Sequence, residues 1–158
     1  MSLDLHIHHI SIAVRDLDEA IEWYGRVLGF GEAKRFRIEA LNADLAFVRR
    51  GNLRLELWHL ASAEPIPPER LEPNTDLLKG GTKHFGFTAT NLGECLKRFV
   101  EQGVDIAAVQ RSPAEPMRAD ADPLHSDPRP PFAMFIRDPG GTLIEVLDAE
   151  AVRGVLPD

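Results

Sequence analysis

A chain of 158 residues with 44% hydrophobic side chains is long enough for one globular domain. Its 18 Lys and Arg stand against 25 Asp and Glu, a net charge of -7. That balance argues against a general nucleic-acid partner but leaves room for a local basic pocket facing an anionic substrate. No apolar run nears the roughly 20 residues of a membrane span. The opening MSLDLHIHHI has neither the basic nor the apolar region of a secretory leader, and the lone Cys95 allows no internal disulfide. A cytoplasmic protein, not associated with membranes, is expected.

The first block opens HHISIAVRDLDEAIEWYGRVLGF, residues 8–30. Ile10, Ile12 and Val14 alternate with His9, Ser11 and Ala13, the period of a strand. Asp16 followed three residues later by Glu19 is a helix N-cap signature, and Gly29 sits where the helix needs a C-terminal glycine. A weaker strand follows at about 32–39. FVRRGNLRLELWHL (47–60) then reads as a hairpin, with its turn at Gly51. The stretch 61–81 is a Pro-rich connector, expected to be irregular because proline fixes φ and removes a backbone donor.

The second block repeats the first. KHFGFTATNLGECLKRFVEQGVDI (83–106) registers on the first opening at an offset of 75 residues, so that His9 falls on His84, Leu17 on Leu92 and Glu19 on Glu94. Asn91 with Glu94 repeats the N-cap, and Gly103 the helix stop. A strand is expected at 105–110. An irregular Pro-rich loop follows at 113–131, and a hairpin, FIRDPGGTLIEVLD, at 135–148. Glu56 and Glu145 both lie five residues after a turn glycine, Gly51 and Gly140. The predicted architecture is α+β: a single domain, 1–158, of two βαβββ modules (5–60 and 82–148) whose free sheet faces enclose a cleft.

Alternation also sorts the side chains by face. His9, Glu56, His84 and Glu145 all fall on the face opposite the bulky set that a helix would cover. Two imidazoles and two carboxylates suit a divalent transition metal, because neutral nitrogen and anionic oxygen bind such ions while positions stay open for water or substrate. Carboxylates gathered in a cleft without a cation would be costly. Arg54 and Trp58 share the face of Glu56. Arg54 is placed to meet a carboxylate or phosphate on a substrate, and Trp58 to line its pocket. His8 and His59 alternate away from the cleft. His6, Arg49, Arg50 and His125 read as surface residues, and Cys95 as a small helix residue.

These segments resemble the vicinal oxygen chelate superfamily, which includes glyoxalase I, methylmalonyl-CoA epimerase, extradiol dioxygenases and antibiotic-resistance proteins. The resemblance is carried by His9 with ISIAVRDL, the WYGRVLGF helix end, LELW around Glu56, KHFGF around His84 and DPGGTLIEV through Glu145. It implies paired βαβββ modules forming a cupped mixed sheet. One divalent metal (Zn, Ni, Co, Mn or Fe) would be held by His9, Glu56, His84 and Glu145, in a homodimer acting on a small molecule. A fourth ligand at Glu56 is more like glyoxalase I than the three-ligand dioxygenases and fosfomycin-resistance enzymes. The expected chemistry is therefore that of an isomerase, epimerase or glyoxalase-like lyase, in which a proton next to a chelated carbonyl moves. Glu145 is the favoured base, Glu56 its counterpart on the opposite face and Glu39 an alternative. A ring-cleaving dioxygenase and a drug-binding resistance protein are the other readings. The segment after His9 and the Pro-rich stretch after WHL depart from glyoxalase I, which leaves substrates such as sugar-like or cyclitol ketones open.

Overall fold

The computed structural model describes residues 4–153; Met1–Leu3, part of the segment read above for a leader, lie outside them. The chain divides into two compact units, Met1–Pro65 and Ile66–Asp158. The first runs β1 (Ile10–Ala13), α1 (Leu17–Leu28), β2 (Gly31–Ile38), β3 (Ala43–Arg50) and β4 (Leu53–Leu60), with a 3-10 turn at Glu39–Leu41. The second begins with a short strap, a 3-10 turn at Pro68–Arg70 and one helical turn, α2 (Pro73–Asp76). It continues with β5 (Phe85–Ala89), α3 (Leu92–Glu101), β6 (Asp105–Gln110), β7 (Ala133–Arg137) and β8 (Leu143–Asp148).

Each unit holds one four-stranded mixed sheet, ordered β1-β4-β3-β2 in the first and β5-β8-β7-β6 in the second. The pairs β1–β4 and β5–β8 are parallel and the remaining pairs antiparallel. Each helix carries the chain from the first strand of its unit across to the far edge of the sheet. The helix starts are those the sequence predicts. Asp16 accepts from Glu19 N–H at 2.9 Å and Asn91 from Glu94 N–H at 3.0 Å. These bonds satisfy donors that the first turn of a helix leaves free. Gly29 stops α1 at φ 70, a left-handed conformation in which glycine carries no Cβ penalty.

The apolar sets fall where alternation puts them. In the first unit Ile12, Val14, Leu55, Leu57, Ala46 and Val48 are buried, together with Ala20, Trp23 and Tyr24 of α1. In the second, Ile144, Val146, Met134 and Ile136 are buried with Leu92, Leu96 and Phe99 of α3. Leu55, Leu57 and Ile144 are fully shielded. Burial of each such side chain stabilises by about 1.5–3 kcal/mol, which fixes the strand register and therefore which residues face the other way.

The structure departs from the sequence reading in the Pro-rich segments. Residues 66–81 belong to the second unit and are partly helical. Pro68 and Pro73 occupy first-turn positions, where the missing N–H costs nothing. Arg137 of β7 ties this strap down, donating from Nε to Leu71 O at 2.7 Å and pairing with Glu72 at 2.6 Å and with Asp105 of β6 at 2.9 Å. The loop 113–131 likewise has internal order: Val109 and Arg118 form a two-way backbone bridge along the free edge of β6.

Candidate metal centre

In each unit a histidine precedes the first strand by one residue, and a glutamate stands on the neighbouring parallel strand. The strands begin at Ile10 and Phe85, one residue later than the alternation suggests. Ser11 is in register with Glu56, and Gly86 with Glu145. His9 Nε2 lies 3.4 Å from Glu56 Oε2, and His84 Nε2 3.2 Å from Glu145 Oε2. The side chains are 33% and 16% exposed in the first pair, 29% and 21% in the second. Glu56, His84 and Glu145 are thus half-buried yet reachable, and His9 is the most exposed of the four.

Two donor atoms bound to one ion at bonds of about 2.0–2.2 Å lie roughly 3.0–3.5 Å apart for angles between square and tetrahedral. Both His–Glu separations fall in that range. The donor set fits a divalent ion, with an imidazole nitrogen and a carboxylate oxygen on each unit. Among the described residues, no group of three or more His, Cys, Asp or Glu side chains is placed to hold a metal ion; the structure brings the four together only as two His–Glu pairs.

Each histidine is also held by an aromatic ring that the sequence reading did not single out. Phe47, in register with Glu56, meets His9 edge to face at 5.5 Å between centroids and 87°. Phe135, in register with Glu145, meets His84 at 4.9 Å and 83°. The two hairpins begin with these phenylalanines, FVRR and FIRD, so the signal was present in the repeat.

His8 is a correction to the face assignment above. Its Nδ1 lies 2.8 Å from His9 Nδ1, and its ring packs against both His9 and Phe47. It precedes the first strand, so strand alternation does not govern its direction. A hydrogen bond at His9 Nδ1 leaves Nε2 as the nitrogen turned to Glu56, the usual division of labour in a metal-ligating histidine.

In the second unit the pair opens on a cavity of about 210 Å³ lined by His84, Glu145, Phe135, Leu143, Met117 and the strap residues Pro73, Asn74, Asp76 and Leu77. Leu143 and Phe135 are buried with Ala107, and Met117 packs on them. Asp76, only 2% exposed, is held by Arg70 Nε at 2.8 Å and by Lys83 at 3.6 Å. Asn74 donates to Met117 O at 3.3 Å, fastening strap to loop.

The remaining candidates separate clearly. Arg54 and Trp58 are half-buried on β4, on either side of Glu56. His59 turns to the helix face, 3.4 Å from Val14 O. Glu39 is exposed in its 3-10 turn, 3.7 Å from Arg37, and does not join a His–Glu pair. His125 is exposed and paired with Asp122 at 2.8 Å. His6 is exposed beside Asp4. Arg49 pairs with Glu32 at 2.9 Å.

Two βαβββ units, each with its helix on one sheet face and a His–Glu pair on the other, define a glyoxalase-like α+β fold. The solved structure of the trypanothione-dependent glyoxalase I of Leishmania major is similar, with a TM-score of 0.67 over 96% of this chain and 92% of that one at 18% identity. The family model of the Glyoxalase/Bleomycin resistance protein/Dioxygenase superfamily matches residues 8–120, and the chain belongs to that superfamily. It is similar to Glyoxylase I 4 of Arabidopsis thaliana, 27% identical over 146 residues that span 92% of this chain and 72% of the relative. It is also similar to the mitochondrial methylmalonyl-CoA epimerase of Homo sapiens, 24% identical over 143 residues, 90% of this chain and 73% of that protein. Among the described residues, no helix is long and apolar enough to cross a membrane.

Proposed function

We propose that this chain is a divalent-metal-dependent enzyme that moves a proton next to a carbonyl of a small oxygenated substrate, as an isomerase, epimerase or glyoxalase-like lyase. The carrying observation is the repetition of one His Nε2–Glu Oε2 pair at equivalent places in both units, at 3.4 and 3.2 Å. The similarity to proteins named glyoxylase I and methylmalonyl-CoA epimerase supports the same reading. His9, Glu56, His84 and Glu145 would hold one ion (Zn, Ni, Co, Mn or Fe) in a single domain that works as a cytoplasmic homodimer. When bound, the metal would polarise the substrate carbonyl and so acidify the adjoining C–H.

The residues then divide the work. Glu145 accepts the proton. It stands beside Gly86, which has no side chain to crowd it, and on the wall of the largely apolar cavity, within reach of a substrate held there. Glu56 delivers or accepts the proton on the other face of the substrate. Phe47 and Phe135 keep the imidazoles in place. Leu143, Met117 and Phe135 exclude water from the Glu145 side.

The test combines metal analysis with deuterium uptake in D₂O. Metal-stripped protein is reloaded with each of the five ions. Exchange at the α-carbon of dihydroxyacetone, hydroxyacetone and a methylglyoxal–thiol hemithioacetal is followed by NMR. Retention of about one ion per chain is expected, with metal-dependent exchange that Glu145→Gln lowers by about 10²–10⁴-fold. Failure to retain any of the ions, or exchange unchanged by Glu145→Gln, would overturn the proposal. Oxygen consumption with a catechol would replace it with ring cleavage.

A further inference from the structure

The two units repeat the His–Glu pair but not what stands beside it. Two residues before each glutamate, on the same face, the first unit has Arg54 and the second has Leu143. Leu143 is buried against Phe135 and Ala107. Arg54 is half-buried and, among the described residues, makes no hydrogen bond or ion pair. Its cross-strand neighbour increases the imbalance. Arg54 is in register with Arg49 of β3, whereas Leu143 is in register with Arg137. Like charges directly opposite one another in a sheet are unfavourable. One of the two guanidiniums is answered: Glu32 sits at a bulge in β2 with a left-handed φ of 55 and pairs with Arg49 at 2.9 Å. The second positive charge is left for something outside the unit.

Its position says what that is. Successive same-face residues along a strand are about 6.6 Å apart. Ile10 is in register with Leu55, which puts Arg54 alongside His9, next to the His9–Glu56 pair. From the structure we infer that Arg54 is the anion-binding element of this site, receiving a carboxylate or phosphate that the substrate carries in addition to its metal-chelating oxygens. A guanidinium presents a planar fork of donors that matches either group. The substrate class is thus a small anionic hydroxy- or oxo-carbonyl compound rather than a neutral one. This rests on the metal reading above for the chelating end of the substrate; the anion site itself stands on Arg54 and Arg49.

The full chain loaded with Co²⁺ is titrated calorimetrically with lactate, malate and 3-phosphoglycerate. These share one 2-hydroxycarboxylate end and differ in carrying a methyl group, a second carboxylate or a phosphate. Malate or 3-phosphoglycerate is expected to bind at least tenfold more tightly than lactate, and which of them does so tells carboxylate from phosphate. Arg54→Gln should bring both to within about twofold of lactate with Co²⁺ affinity intact, and Arg54→Lys should retain part of the preference. Equal affinities for the three acids, or a preference that survives Arg54→Gln, overturns the inference. A second measurement needs no metal: the Arg54 Nε–H resonance, assigned by its loss in Arg54→Lys, should move saturably with inorganic phosphate. Absence of that shift overturns the anion site. A saturable shift in a chain that retains no Co²⁺ overturns the metal reading and leaves the anion site standing.

Discussion

Replacing Gly141 with alanine, and Gly51 with alanine as its counterpart, separates what the strap contributes from what the hairpin turn alone requires. Both glycines have positive φ, 57 at Gly51 and 95 at Gly141. An added Cβ at Gly51 would meet nothing within 4 Å, so Gly51→Ala bears only the backbone penalty, about 1–2 kcal/mol for an L-residue in the left-handed region. At Gly141 the Cβ would lie 2.6 Å from Leu71 Cδ2 and 3.8 Å from Ile66 Cδ1. Ordinary carbon contacts are about 3.5–4.0 Å, so Leu71 must retreat by roughly 1 Å and lose part of its packing. Adding about 1 kcal/mol for half-exposing a leucine to a backbone term of about 1–3 kcal/mol gives an expected loss of about 2–4 kcal/mol.

The assay must resolve the units, because both Trp23 and Trp58, and the one tyrosine, lie in the first. Fluorescence therefore does not report on Gly141. Residue-resolved amide exchange on β3–β4 and on β7–β8 does, with trypsin cleavage after Arg70 and Lys79 reporting release of the strap. Gly141→Ala should lower protection in β7–β8 by more than Gly51→Ala lowers it in β3–β4, and should speed strap cleavage. Equal losses in the two variants, with strap cleavage at the native rate, would refute the packing of the strap on the second hairpin.

Two further outcomes follow from the ionic contacts. Asp76→Asn removes the buried charge that answers Arg70 and Lys83. It should weaken the second unit by about 1.5–3 kcal/mol, read as lost β5–β8 amide protection with β1–β4 unchanged. Hydrogen bonds from the Arg129 side chain and backbone hold Asp127 down from the ordinary aspartate value of 3.8 to about 2. A depressed carboxylate stabilises the folded loop fully above the ordinary value and ceases to do so as pH falls through the folded one. The Asp127 carboxyl resonance should therefore titrate near pH 2, and near its ordinary value in Arg129→Gln, where the acid-dependent loss of loop stability that Asp127 contributes should disappear.

Much of the fold could be read from local rules because each rule acts at short range. Alternation in His9–Val14 and Arg54–Trp58, the Asp16 and Asn91 caps and the glycine stops each depend on a few neighbouring residues, and the structure satisfies them with the bonds expected. The 75-residue offset turned these short signals into a pair of sheets, and the repeated hairpin, with a glutamate five residues after Gly51 and Gly140, placed a glutamate beside each histidine. Features that depend on tertiary placement were not legible. Asp76 and Met117 reach the His84 cavity through Pro-rich segments whose direction no periodicity fixes. His8 turns toward His9 because it precedes the strand. Phe47 and Phe135 were visible as a repeated letter, but their contact with the imidazoles depends on hairpin register.

The duplication also explains where the two units are free to differ. Parallel pairing of β1 with β4 and of β5 with β8 carries the His–Glu pair, and a slip of one residue there would turn the histidine or glutamate to the helix side. The neighbouring same-face positions carry no such constraint, because the helix-side core does not depend on them. Arg54 can therefore stand where its counterpart is Leu143, and Ser11 where its counterpart is Gly86, with both sheets keeping the same order. One unit then offers a guanidinium beside its pair and the other an apolar pocket of about 210 Å³. A cavity of about 150 Å³ lined by aliphatic and aromatic side chains suffices for a benzene ring, so the second unit's cavity has room for a compact apolar group, and no Lys or Arg is among the residues that line it. On the function and the anion site proposed above, binding of the substrate's anionic group is assigned to Arg54 and proton transfer to Glu145.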